Sequence, residues 1–255
     1  MQFLIDSTLY SYAQIFFSNR KWFGAVALTA TFISPIFGLS ALLGVILSNL
    51  IAYVLKFDAL KIKSGFYGFN GILFGLAVIY YFKLDFQIIV FLIIFIAITF
   101  LISSVLENYL AVGFNLPGLS LPFIISLYIF LVFLTNFNTI VPSMHESADP
   151  EILNQLPEWL KAYFKSVALI LFQPNILSGI ILIAGVIFFS RILFLLSVLG
   201  FAVNYVFLNL ILPQYSQSLI ILTGFNSILT AFALGGSLIL PSRKSFLLAG
   251  ISSIG

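Results

Sequence analysis

The chain has 255 residues, 62% of them hydrophobic and only 7% charged, with a formal net charge of +3, no cysteine and one histidine. A soluble domain carries about a quarter charged residues, so this composition cannot build a water-facing surface, and the chain reads as an integral membrane protein. Without cysteine there are no disulfides and no thiolate metal sites, and His145, alone in the polar stretch PSMHESADPE, is a poor basis for a zinc or haem enzyme.

From the N-terminus, apolar segments at 8–18 and 22–33 are each about half a membrane long, at ~1.5 Å per helical residue. Longer runs near 37–55, 66–82, 86–106, 119–135 and 192–212 approach the roughly 20 residues a spanning helix needs. Runs such as FQIIVFLIIFIAITFLISSVL do not alternate apolar and polar residues as barrel strands do. The expected fold is therefore all-α. A polar stretch from about Thr135 to Lys165 holds Glu146, Asp149, Glu151 and Glu158, of which the last three read as a solvated loop or a short surface helix. Arg20-Lys21, Lys56, Lys61, Lys63, Arg191 and Arg243-Lys244 read as interfacial anchors. Glu107, near the end of a long span, is placed within reach of an interface.

The two sides of the polar stretch resemble each other. GFNGIL at 68–73 returns as GFNSIL at 224–229, so Asn70 returns as Asn226 at an offset of 156 (226 less 70). SNRKWFGAVALTATFISP at 18–35 is answered by QPNILSGIILIAGVIFFSR at 173–191, and the short segments 8–18 and 22–33 by 162–173 and 176–189. The expected organisation is a first repeat over 1–134, a polar linker over 135–165 and a second repeat over 166–255. Short, interrupted segments in matching positions of two halves point to broken or re-entrant helices lining a central pore. Non-helical backbone survives at membrane depth only where protein or a wet cavity satisfies it. The Gly-Phe-Asn phrases are thus read as places where the backbone bends, with Asn70 and Asn226 as polar structural partners at the pore. Phe69 and Leu73, like Phe225 and Leu229, stand at i and i+4 and share a helix face. Gln14 and Phe17 share a face of the first short segment, and LPGLSLPF at 116–123 sets Ser120 between two prolines.

This set of phrases resembles the urea transporter family. GFYGFNGILFG (Gly65 to Gly75) matches its G-[FYL]-x-G-[FY]-N-G-x-L-x-G phrase, and GFNSIL (Gly224 to Leu229) its GFNSxL phrase. AQIFF answers a G-Q-V-x-F-like phrase, and LPGLSLPF an LPxxTLPF phrase, so the resemblance runs over essentially the whole chain. It implies two inverted repeats of transmembrane helices with half-helices around a pore, in each protomer of a homotrimer in a bacterial inner membrane. By the same resemblance Phe17, Phe69, Leu73, Phe225 and Leu229 form flat apolar slots, Gln14 sits at a pore mouth, and Ser120 matches a central threonine. Leu169 and Phe172 take the corresponding places in ALILF, where the family has a G-E-V-x-L-like phrase. Leu169 thus replaces a glutamate, which bears on the preferred solute. A second LPxxTLPF-like phrase is not found before Gly255, so the second repeat is expected to be incomplete at its C-terminus and the chain truncated. The implied activity is facilitated diffusion of urea or a similar small neutral amide across the bilayer, with no cofactor, no metal and no nucleic acid. An ion-coupled secondary transporter with inverted repeats and a non-transporting membrane protein remain the alternatives. The carboxylates lie away from the interrupted segments, which disfavours ion coupling, and no nucleophile–base pair supports an enzyme.

Overall fold

Helix boundaries in this chain follow from where a backbone turn is affordable without water. In the computed structural model, residues 2–137, 149–212 and 216–254 are described, and His145 and Glu146 lie outside them. Every element among the described residues is helical, and the protein is an all-α membrane protein. The helices are α1 Gln2–Gln14, α2 Lys21–Thr31, α3 Pro35–Val54, α4 Ala59–Lys63, α5 Phe69–Tyr81, α6 Phe86–Phe114 and α7 Leu121–Leu134. After a short 3₁₀ turn at Glu151–Gln155 come α8 Glu158–Leu169, α9 Ile176–Phe189, α10 Arg191–Ile211, α11 Gln217–Phe232 and α12 Arg243–Ser252. A π-turn, Ala233–Ser237, prolongs α11.

Local chemistry sets these ends. Pro35 opens α3 behind Ser34, where its missing N–H costs nothing. Asp85 caps α6 by accepting from the Ile88 amide at 2.7 Å, and Asn115 closes it in the left-handed region. Asn175, Ser190, Ser216 and Ser242 cap α9, α10, α11 and α12 with their side chains. Four helical stretches are long and apolar enough to cross a membrane, Pro35–Val54, Phe86–Phe114, Arg191–Ile211 and Gln217–Ser237. Two of the expected spans are shorter than the sequence suggests. Over 66–82 the helix holds 13 residues, because Gly65 at φ +83 turns the chain just before it. Over 119–135 it holds 14, because Leu119 at φ 48 turns the chain just before it and Pro122 sits in its first turn. Gln217–Ser237, not among the expected spans, becomes long enough through the π-turn.

By contacts the chain forms two compact units, one of residues 1–15, 19–28 and 34–145, the other of 16–18, 29–33 and 146–255. In the first, α3 lies against α5 so closely that a Cβ on Gly44 would stand 2.1 Å from the Gly71 carbonyl oxygen. In the second, α10 meets α11 the same way, with a Cβ on Gly200 only 2.7 Å from the Ser227 carbonyl oxygen. Both members of this contact are offset by 156 (200 less 44, 227 less 71). Likewise Gly24 of α2 meets the Leu9 carbonyl of α1, and Gly179 of α9 meets the Phe164 carbonyl of α8, at an offset of 155 (179 less 24). The repetition is one of packing as well as of letters. Hydroxyls join the seams: Ser40 Oγ donates to the Gly75 carbonyl at 2.7 Å, Ser11 Oγ to the Gly65 carbonyl at 3.2 Å, and Asn49 Nδ2 to Ser7 Oγ at 3.2 Å.

Outward, the helices present large apolar side chains, among them Phe86, Val112, Phe188 and Leu240, each more than four-fifths exposed. Such a surface belongs in lipid. Gly44→Val should lower the midpoint of thermal unfolding in detergent, the overpacking costing about 1–3 kcal/mol or more because the obstacle is backbone. Gly113→Ala, in open space on α6, should instead be neutral or stabilising by about 0.5–1 kcal/mol. Equal melting of the two variants would contradict this account of the seam.

Candidate functional site

In the first unit the sequence-derived residues sit at helix ends. Gln14 is the last residue of α1, and its Nε2 donates to the Ser64 carbonyl at 3.3 Å. Ser11, one turn earlier, holds the Gly65 carbonyl. The phrases AQIFF and GFYGFN therefore share one corner, and the Gln14 amide oxygen keeps no donor among the described residues. From that corner α5 carries Phe69, half-buried, and Leu73, buried at 6% exposure. Asn70 lies between them, fully buried, with neither amide atom hydrogen-bonded. A buried, unsatisfied amide costs on the order of 1–3 kcal/mol, so this position holds polar capacity that the helix packing does not use. Ser120 stands at the N-cap of α7, half-buried, but its side chain makes no capping bond. It is not hydrogen-bonded to Gln14 or Asn70.

The second unit repeats the arrangement with different chemistry. Leu169 is the last residue of α8, as Gln14 is of α1, and it is buried at 2% exposure. Three residues beyond each helix end stand Phe17 and Phe172, at φ 57 and φ 52. A left-handed conformation costs a residue with a Cβ roughly 1–2 kcal/mol, so both corners hold their ring by paying against backbone preference. Phe225 and Leu229 of α11 are half-buried, whereas Asn226 is exposed. Asn70 and Asn226 share a phrase but not an environment. Phe17 also lines a cavity of about 240 Å³ with Phe189, Ser190, Leu193, Ser237 and Pro241; Leu169, Phe172, Phe225 and Leu229 do not.

Charges are paired where the short helices begin and end. Asp6 of α1 is buried and bonded to Lys21 at 2.6 Å, with Lys63 at 4.0 Å. The helix of the expected short segment 8–18 begins earlier, at Gln2, and so takes in Asp6, which two lysines neutralise. Donating a hydrogen bond to Asp6 holds the pKa of the Lys21 ammonium above its ordinary value. Asp149 is not a solvated loop residue: it accepts the Ile176 amide at 2.7 Å and pairs with Lys165 at 2.7 Å, fixing the start of α9. Glu107 likewise turns inward, accepting the Gly118 amide at 3.0 Å. Nothing in the local sequence signals the last two, because their partners lie 27 and 11 residues away.

The profile described as urea transporter matches residues 5–254. This chain belongs to the urea transporter family. It is similar to Urea transporter 1 of Rattus norvegicus, 28% identical over 259 aligned residues that cover 98% of this chain and 67% of that protein. The family consists of transporters, not enzymes. At Phe172 glycine should give a more stable protein than alanine by about 1 kcal/mol, the reverse of their order inside a helix. Both variants lose the ring, so the difference in unfolding midpoint isolates the backbone; alanine at least as stable as glycine would refute the strain.

Proposed function

We propose that this chain carries urea, or a similar small neutral amide, through the membrane by facilitated diffusion without a coupling ion. The observation that supports the reading most is the family match over residues 5–254. The chemistry agrees with it. Urea is planar and neutral, so the rings of Phe17, Phe69, Phe172 and Phe225 offer it flat apolar walls, with Leu73 and Leu229 completing the slots. The unused oxygen of Gln14, the free amide of Asn70 and the uncommitted hydroxyl of Ser120 replace its water. An ion in the same passage loses hydration that such neutral groups do not restore. Leu169, at the place where the family resemblance expects glutamate, leaves one mouth without an acidic acceptor and favours less strongly hydrogen-bonded amides beside urea. The working assembly in this reading is a homotrimer in a bacterial cytoplasmic membrane, with a separate path in each protomer.

Stopped-flow light scattering on liposomes holding this chain, challenged with urea and with a sucrose control, tests the proposal. Urea entry should exceed that of empty liposomes, and should persist in sodium-free buffer and after collapse of the proton gradient. Strict dependence on either ion would exclude a channel. Phe69→Ala and Phe225→Ala should each change urea flux by about tenfold or alter selectivity, with assembly intact, the size expected for losing one ring contact. Unchanged flux in both variants removes those rings from the path.

A further inference from the structure

We infer that Glu107 is a positioning residue: its carboxyl anchors the loop 115–119 at Gly118 and so sets where Ser120 is presented. The inference rests on the solute reading above for its consequence, but its geometry stands alone. Glu107 lies on α6, seven residues before that helix ends at Phe114, and its side chain is buried, at 6% exposure for the residue. A carboxyl at such a position on an apolar helix is expensive and marks a task. Its Oε2 accepts the Gly118 amide at 3.0 Å. No ion pair is formed by it among the described residues.

The loop needs such an anchor. Leu119 sits at a positive φ of 48, although it is not glycine. Strain of this kind persists only where the surroundings over-determine it. Between Asn115 and Leu121 the one buried residue is Gly118. It is held at both ends: its N–H by Glu107, and its carbonyl by the Leu121 amide at 3.0 Å. A Cβ there would stand 2.8 Å from Glu107 Cδ and 2.9 Å from Oε1, so any larger residue at 118 displaces the carboxyl from this contact. Ser120 follows two residues on, its hydroxyl not spent on capping α7. Removing the anchor would let Leu119 relax from its left-handed conformation and swing that hydroxyl.

Hydrogen exchange of the full chain in lipid nanodiscs, read over peptides covering 115–121, tests the anchor without any transport. Wild type and Glu107→Gln, which keeps an acceptor oxygen, should be protected alike. Glu107→Ala should exchange at least about tenfold faster there, as expected for loss of a hydrogen bond to a charged group. Flux on the same samples tests the consequence: the urea-to-water permeability ratio per folded protein should fall several-fold in Glu107→Ala and recover in Glu107→Gln. Unchanged exchange in Glu107→Ala overturns the anchor, as does Glu107→Gln behaving like Glu107→Ala. Faster exchange with an unaltered permeability ratio overturns the link to Ser120. A wild-type chain that is protected over 115–121 but passes no urea leaves the anchor standing and refutes the proposed solute instead. Because Gly118→Ala collides with the same carboxyl, its effect on exchange should not add to that of Glu107→Ala; additive effects also count against the contact.

Discussion

Backbone-to-backbone approach of helices is the constraint from which the rest of this structure follows. Between helices in lipid there is no hydrophobic drive, because the chains outside are as apolar as leucine, so association depends on dispersion contacts and interhelical hydrogen bonds. Both fall off steeply with distance. Gly44 against Gly71 and Gly200 against Ser227 bring helix axes close enough for hydroxyls such as Ser40 to reach a neighbouring carbonyl. The same seams hold α5 and α11, and with them the Phe69–Leu73 and Phe225–Leu229 faces. A side chain at either glycine would move the candidate solute surface as well as the core.

Half-length helices create a second demand, since each leaves unsatisfied amides and carbonyls where water is scarce. This chain meets it with buried polar side chains borrowed from elsewhere. Asp149 and Asn175 together receive three amides at the start of α9, and Asp149 is in turn neutralised by Lys165. In the first unit Asp6 serves Lys21 and Lys63, while Ser11 and Gln14 take up the turn between α4 and α5. The two units satisfy equivalent corners by different residues.

Polar groups inside the apolar body fall into two sorts. Ser11, Ser40 and Tyr163 find partners and act as glue between helices. Asn70, with an amide left over in a fully buried place, and Ser120, with a hydroxyl that caps nothing, do not. Phe17 and Phe172 are each held in a backbone conformation that the side chain disfavours.

The sequence by itself determined the solvent, the helical class and the recurrence. Composition excludes water, unbroken apolar runs exclude a barrel, and Gly-Phe-Asn returning at an offset of 156 announces matched packing. These are legible because they depend on period and composition, which are local. Tertiary structure decided what depends on partners distant in the chain. It shortened the expected spans at 66–82 and 119–135, through Gly65 and Leu119, and it lengthened α11 by a π-turn. It separated Asn70, buried, from Asn226, exposed, though both follow Gly-Phe in the same phrase. It also turned Asp149 and Glu107 inward, onto Ile176 and Gly118. Whether a carboxylate faces solvent or a buried amide is settled by what folds back against it, and that information is not contained in its neighbours along the chain.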